Sequence, residues 1–248
     1  MAALAAGAVG ASAAETAGKS LFEMRTFKLR NGSENQRQRT TAYLKNYVAL
    51  AKLAGAGPIG VFSSSIAEDT PFLLAITSFN GYAGMDSALA KLRANPEYSK
   101  ALDEWNAGGR PFERQEVRLL AAFGGFPVMT PPPVEGRKAA RIFELRTYEL
   151  ETSAAVERKI RMFEAGEAAI FVRAGMLPVF FGETVFGPNL PSVVYMLGFD
   201  DLAAREATGR VSGADPEWKR LGAEFPDVAT VPKLSISFLS PLAFSDVR

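Results

Sequence analysis

The phrase Phe143-Glu144-Leu145-Arg146-Thr147-Tyr148-Glu149-Leu150 has a near-copy in the same chain, Phe22-Glu23-Met24-Arg25-Thr26-Phe27-Lys28-Leu29. Two such octets half a chain apart mark a duplicated unit. Apolar and polar residues alternate in both, which is the period of a β-strand. One face of the strand carries Phe22, Met24 and Thr26, copied as Phe143, Leu145 and Thr147. The other carries Glu23, Arg25 and Phe27, copied as Glu144, Arg146 and Tyr148. Any fold of this chain must place, twice, a strand with a glutamate and an arginine on one face.

The pattern after the first octet gives the rest of the unit. Asn31-Gly32-Ser33 is a turn, with Ser33 placed to cap a helix over residues 34–54. Leu44, Tyr47, Val48 and Ala51 form one buried stripe on that helix, and Gly55-Ala56-Gly57-Pro58 ends it. Strands at 59–66 and 72–79 flank the turn Glu68-Asp69-Thr70-Pro71, and helical stretches at 82–93 and 97–105 flank Asn95-Pro96. A strand at 113–123 closes a β-α-β-β-α-β unit, the ferredoxin-like pattern. Pro58, Pro71 and Pro96 recur 120 residues later as Pro178, Pro191 and Pro216, whereas the octets lie 121 apart, so one residue was gained or lost in the first helix. The third strand and its copy are apolar throughout, as strands covered on both faces are. The expected organisation is a leader over 1–20, a first repeat over 21–123, a Pro-rich linker over 124–140 around Pro131-Pro132-Pro133, and a second repeat over 141–248.

A ferredoxin-like sheet has helices on one face only, and its bare face needs cover. Two copies in one chain predict sheets packed face to face with helices outside. If the charged face of the first strand meets the opposing sheet, Glu23 reaches Arg146 and Glu144 reaches Arg25 across the pseudo-twofold axis. Buried charges demand partners, and the attraction within a pair rarely exceeds its desolvation cost. The cluster then reads either as an ion-pair network that fixes how the halves dock or as the lining of a cavity for a polar ligand. Tyr148 shares the face, and Tyr195 lies on a central strand. A third arrangement, with Glu and Arg beneath the helices, is disfavoured because Phe, Met, Leu and Thr suit helix contact better.

Composition narrows the chemistry. There is no cysteine and no histidine, which excludes disulfides, thiol catalysis, thiolate zinc and any Ser-His-Asp arrangement. Acid–base work falls to Glu, Asp, Lys or Tyr, and no metal or cofactor is called for. A net charge of +1 gives no reason to expect nucleic acid. Residues 1–20 are too short to span a bilayer; Ala11-Ser12-Ala13 fits a leader cleavage site, although no basic start precedes it. The expectation is a secreted or periplasmic protein, with a disordered tail on a cytoplasmic one as the alternative.

The doubled Phe-Glu-Leu-Arg-Thr-Tyr phrase resembles the opening of NIPSNAP domains, and Asp215-Pro216-Glu217-Trp218 and Asn95-Pro96-Glu97-Tyr98 resemble a motif in that family's second helix. The resemblance implies a fold of class α+β: two tandem ferredoxin-like βαββαβ repeats packed sheet to sheet as an intrachain dimeric α/β barrel. The leading expectation is a protein of this type that binds a small polar or amphipathic molecule in a barrel cavity lined by Glu23, Arg25, Glu144, Arg146, Tyr148 and Tyr195, a lining read from the strand pattern and not carried over from the family. Its superfamily also holds cofactor-independent monooxygenases and isomerases, which is the enzymatic alternative; a protein-interaction scaffold is another. Haem-handling relatives generally use a histidine, which this chain lacks. A small molecule and a second copy of the chain are the partners left open.

Overall fold

The computed structural model describes residues 19–137 and 139–248, so the leader-like residues 1–18 lie outside the described residues. The first half runs β1 (Leu21–Lys28), α1 (Glu34–Ala54), β2 (Ile59–Ile66), β3 (Phe72–Phe79), α2 (Gly81–Arg93), α3 (Pro96–Ala107) and β4 (Arg114–Ala122). The second runs β5 (Ile142–Glu149), α4 (Ser153–Met162), a π-helical turn (Phe163–Glu167), α5 (Ala168–Arg173), β6 (Leu177–Phe186), β7 (Ser192–Phe199), α6 (Leu202–Gly213), α7 (Glu217–Glu224) and β8 (Lys233–Pro241). The strands close into one barrel in the order β1-β3-β2-β8-β5-β7-β6-β4. Each half contributes a four-stranded ferredoxin-like sheet, and the seams between halves are β2–β8 and β4–β6.

Local chemistry sets the boundaries. Ser33 accepts a hydrogen bond from the Gln36 amide at the start of α1, and Gly55, at φ 106°, ends it in the left-handed region that favours glycine. In the second half the matching ends are Thr152, which caps α4 through the Ala155 amide, and Gly175 at φ 89°. From cap to terminal glycine the second copy holds one residue more than the first. The extra residue is absorbed in the π turn, which is the usual way a helix takes up a single insertion. β3 and β7 are buried along their whole length, with helices on one side and the barrel interior on the other.

The barrel interior is filled from both halves. Phe22, Met24, Phe62 and Ile76 interlock with Phe143, Phe180, Val194 and Met196. Phe62 meets Phe143 across the interior at 5.3 Å between ring centroids, and Phe22 meets Phe180 at 5.1 Å. The Pro-rich stretch after β4 folds back rather than spanning free: Met129 plugs one end of the barrel and the Thr130 amide bonds the Val179 carbonyl. Ser20, read as leader, is buried, and its carbonyl accepts from the Ala122 amide.

The facing of the octets differs from expectation. Phe22, Met24, Phe143 and Leu145 point into the barrel, while Glu23, Arg25, Glu144, Arg146 and Tyr148 lie on the outer sheet face beneath the helices. No ion pair joins the halves through these charges; Glu23 pairs with Arg25 at 2.8 Å and Glu144 with Arg146 at 2.6 Å, each within its own strand. The reason is the bore. An eight-stranded barrel is just wide enough to be filled by side chains, and facing phenylalanines and methionines exclude solvent there. On the outer face an arginine lies along the sheet with its head at the margin of the helix layer, and Arg25 and Arg146 keep 21% and 16% of their side chains exposed.

Because the interior is shared, the two halves are expected to unfold as one unit. Phe143→Ala should lower stability by about 3–5 kcal/mol. Trp105 and Trp218, the two tryptophans, report one on each half. Single-tryptophan variants should give the same denaturant midpoint and be shifted equally by Phe143→Ala; separate midpoints would show that the halves are independent domains.

Candidate functional site

The outer faces of the two sheets have diverged, and the divergence locates the site. In the first half the space between sheet and helices is packed with rings. Tyr43 stacks on Trp105 at 4.0 Å, and Phe27 and Phe112 pack against Trp105. Tyr47 covers Arg25, with the guanidinium carbon 5.8 Å from the ring centroid, and its hydroxyl bonds Thr77.

In the second half the same positions read differently. Tyr47 is replaced by Glu167, and Ala75 by Tyr195. The counterpart of Trp105 is Phe225, which turns away to pack with Met162, Ile170, Leu221 and Val228. The vacated space is a cavity of about 670 Å³ between β5, β8, α4–α5 and α6. Its polar lining includes Arg146, Tyr148, Lys159, Glu167 and Arg205, and its apolar lining includes Phe171, Met176, Trp218 and Leu234. Gly209 and Gly213 on α6 also line it, and a Cβ at either would meet no atom within 4 Å.

The charged floor is held from below. Glu144, fully buried, accepts from Arg146 Nε at 2.6 Å and from Arg205 Nε at 2.8 Å. Burial alone would raise its pKa, but hydrogen bonds from Arg205 and Arg146 outweigh that and hold the carboxylate below its ordinary range. Arg146 Nη1 also donates to the Tyr195 hydroxyl at 3.1 Å, and the Tyr195 and Tyr148 hydroxyls lie 2.5 Å apart. Arg146 Nη2 has no protein partner among the described residues. Burial pushes both phenols up, Tyr195 furthest, so they remain neutral hydrogen-bonding groups.

Deeper in the wall, Lys159 Nζ meets Glu167 Oε2 at 2.8 Å, with both side chains almost wholly buried. Lys159 precedes the π turn on α4, and Glu167 is the turn's last residue. One extra helical residue rotates the next turn of the helix by about 100°, which brings Glu167 round toward the sheet-facing side that Lys159 occupies. Burial raises the Glu167 carboxyl above its ordinary range, although Lys159 opposes this.

Of the six residues singled out from sequence, Arg146 and Tyr148 line the cavity. Glu144 and Tyr195 sit beneath and orient them. Glu23 and Arg25 belong to the packed first half and take no part. Lys159, Glu167 and Arg205 were missed. The signal that reveals Glu167 is the comparison of halves, in which the aromatic position of Tyr47 on the helix becomes acidic. Among the described residues no acidic cluster is suited to a metal, and no helix is long and apolar enough to cross a membrane.

Residues 143–246 match the NIPSNAP family model. No curated protein matches the chain. Among solved structures, a candidate monooxygenase from Lactobacillus acidophilus shares the fold at TM-score 0.60 and 12% identity, over 90% of this chain and 94% of that one. A second candidate monooxygenase, from Fusobacterium nucleatum, superposes at TM-score 0.54 and 10% identity over 91% and 93% of the two chains. A chlorite dismutase variant from Candidatus Nitrospira defluvii does so at TM-score 0.51 and 6% identity over 94% of each. At these identities the likeness is one of fold: a dimeric α/β barrel, here made by one chain.

The Glu144 network should show in the pH dependence of stability. A carboxyl held low when folded binds fewer protons than it does unfolded, so its stabilisation is complete above the ordinary glutamate range and is lost as the pH falls through its folded pKa. Glu144→Gln should cost about 2 kcal/mol at neutral pH, the scale of charge-assisted hydrogen bonds. The gap from wild type, read from denaturant midpoints, should close as the solution is acidified; a gap independent of pH would contradict this account.

Proposed function

With its second half a NIPSNAP domain, we propose that the chain binds a small aromatic or amphipathic anion in the cavity between the second sheet and its helices. The observation that carries the reading is the contrast between halves: matching positions are closed by stacked rings in one and open over a guanidinium in the other. Arg146 lines the cavity with Nη2 free of a protein partner among the described residues and is locked by Glu144 and Tyr195, so little side-chain freedom remains to be lost on binding. A carboxylate or phenolate suits that group. Trp218, Phe171 and Met176 would receive a planar apolar body.

A second reading rests on Glu167. It is a buried carboxyl with a raised pKa in the wall of a partly apolar cavity, which is the environment of a general base. In a cofactor-independent monooxygenase or isomerase it would take a proton from the bound molecule, with Arg146 and Tyr148 holding the resulting oxyanion. The fold likeness to candidate monooxygenases is compatible with this and does not choose it.

The test uses 2-naphthoate as probe and Trp218 as reporter, in a Trp105→Phe background. Saturable quenching is expected, and Arg146→Gln should weaken it about tenfold or more. Quenching unchanged in that variant would sink the proposed anion site. Turnover of a bound substrate that survives Glu167→Gln would dispose of the general-base reading and leave binding intact.

A further inference from the structure

The barrel has a second opening. Met129 and Val247 join the core at one end, near Phe22 and Ala122. At the other end, where β1 and β5 finish, the core stops short and leaves a cavity of about 620 Å³. Its floor is the end of the barrel core, Met24, Phe72, Leu74 and Leu145, and its walls carry the hydroxyls of Thr26, Thr147, Ser235 and Ser237. This cavity lies on the inner face of the sheet whose outer face carries Arg146 and Tyr148.

One cation stands out in it. Arg118 sits opposite Met24 in the β1–β4 ladder and so shares its inward face. Its Nη1 donates to Thr147 Oγ1 at 3.1 Å and its Nη2 to the Pro188 carbonyl at 3.2 Å. Among the described residues no carboxylate pairs with it. Of the neighbouring acids, Asp69 pairs with Lys28 and Arg114, Glu116 with Arg114, and Glu149 with Lys233, while Glu68 at the exposed rim makes no ion pair among the described residues. Burial pulls the Arg118 pKa down, and the more distant charges of Glu149 and Glu116 only partly offset this. Arg118 is half-buried, so its guanidinium is partly desolvated and keeps donors that an anion can use.

The backbone is shaped around this side chain. Gly187 has φ 135°, and a Cβ there would come within 3.0 Å of Arg118 Cγ. Glycine thus lets the loop that carries the Pro188 carbonyl close over the arginine stem. Across the pseudo-twofold, the residue opposite Leu145 on β8 is Ser237, where its equivalent on β4 is Arg118. One strand supplies the cation and the matching strand supplies room.

We propose that this open end is a separate site for a slender aliphatic carboxylate, with the head group on Arg118 and the wall hydroxyls and the chain on Met24, Leu74 and Leu145. Met24, Phe72, Leu74 and Leu145 supply the apolar surface that a hydrocarbon chain covers. Glu68, Asp69 and Glu116 in the lining disfavour a dianionic phosphate.

The test is isothermal titration of the full chain with octanoate, and with 1-octanol as a chain of equal length lacking the carboxylate. Saturable octanoate binding is expected, much stronger than that of octanol. Arg118→Gln should weaken it at least tenfold while 2-naphthoate still quenches Trp218. Ser237→Phe, which intrudes on the cavity from the opposite strand and leaves the guanidinium in place, should also weaken it markedly, and it decides the matter if Arg118→Gln folds poorly. The proposal is overturned by equal affinity for octanol, by wild-type affinity in both variants, by absence of saturable binding, or by octanoate displacing 2-naphthoate from Trp218.

Discussion

The bore of the barrel is the constraint on which the rest depends. Eight strands enclose a space that side chains just fill, and Phe22, Phe62, Phe143 and Phe180 claim it from both halves. Once these rings meet, every alternate residue on β1 and β5 is forced outward. Glu23, Arg25, Glu144 and Arg146 therefore lie beneath helices, where each carboxylate finds an arginine two residues away on its own strand. Filling the interior with apolar groups avoids the desolvation cost that cross-barrel ion pairs would carry. It also leaves a charged floor on each outer face, available for whatever the helices do above it.

The two halves use that floor in opposite ways. In the first, Tyr43, Tyr47 and Trp105 cover it, and Arg25 ends as a structural group under an aromatic lid. In the second, the aromatic ring has moved from helix to strand: Tyr195 lies in the sheet beside Arg146, and the helix presents Glu167. The π turn makes the exchange geometrically feasible, because its extra residue reorients the helix just where the acid is needed. A buried Lys159–Glu167 pair is a poor means of gaining stability compared with the rings it stands in for. Keeping it in the wall of an open cavity is easier to understand as a requirement of binding than of folding.

Much of this architecture could be read from the residues. Ser33, Gly55 and the matched prolines fix element boundaries to within a residue or two, because caps and turns are local chemistry. The continuous apolar runs of β3 and β7 announce burial on both faces. The facing of β1 and β5 could not be read in the same way. Both faces of these strands are covered, so alternation tells the two apart without saying which one looks inward; the answer lies in barrel width, a property of all eight strands together. Lys159 and Glu167 resemble the solvent face of a helix until the inserted residue is taken into account. Arg205 reaches Glu144 from 61 residues away, and no spacing rule anticipates that contact. Arg118 sits in a strand whose Arg114-Gln115-Glu116 start reads as an ordinary exposed edge.

Strand β5 ties the two cavities together. Leu145 and Thr147 face the barrel mouth, and Thr147 holds Arg118 there. Arg146 and Tyr148, the residues between and beyond them, face the helix-covered cavity. The period of two in a strand keeps the sites on opposite faces of one sheet, with no shared lining residue. Each is built on an arginine anchored by a hydroxyl, Arg146 by Tyr195 and Arg118 by Thr147. They differ in what surrounds the charge. Trp218 and Phe171 stand beside Arg146, whereas Met24, Leu74 and Leu145 with Phe72 stand beside Arg118. Duplication thus supplied one scaffold with two faces on a single strand. Divergence at Glu167, Tyr195 and Arg118, none of which has a matching residue in the other half, gave each face its own chemistry.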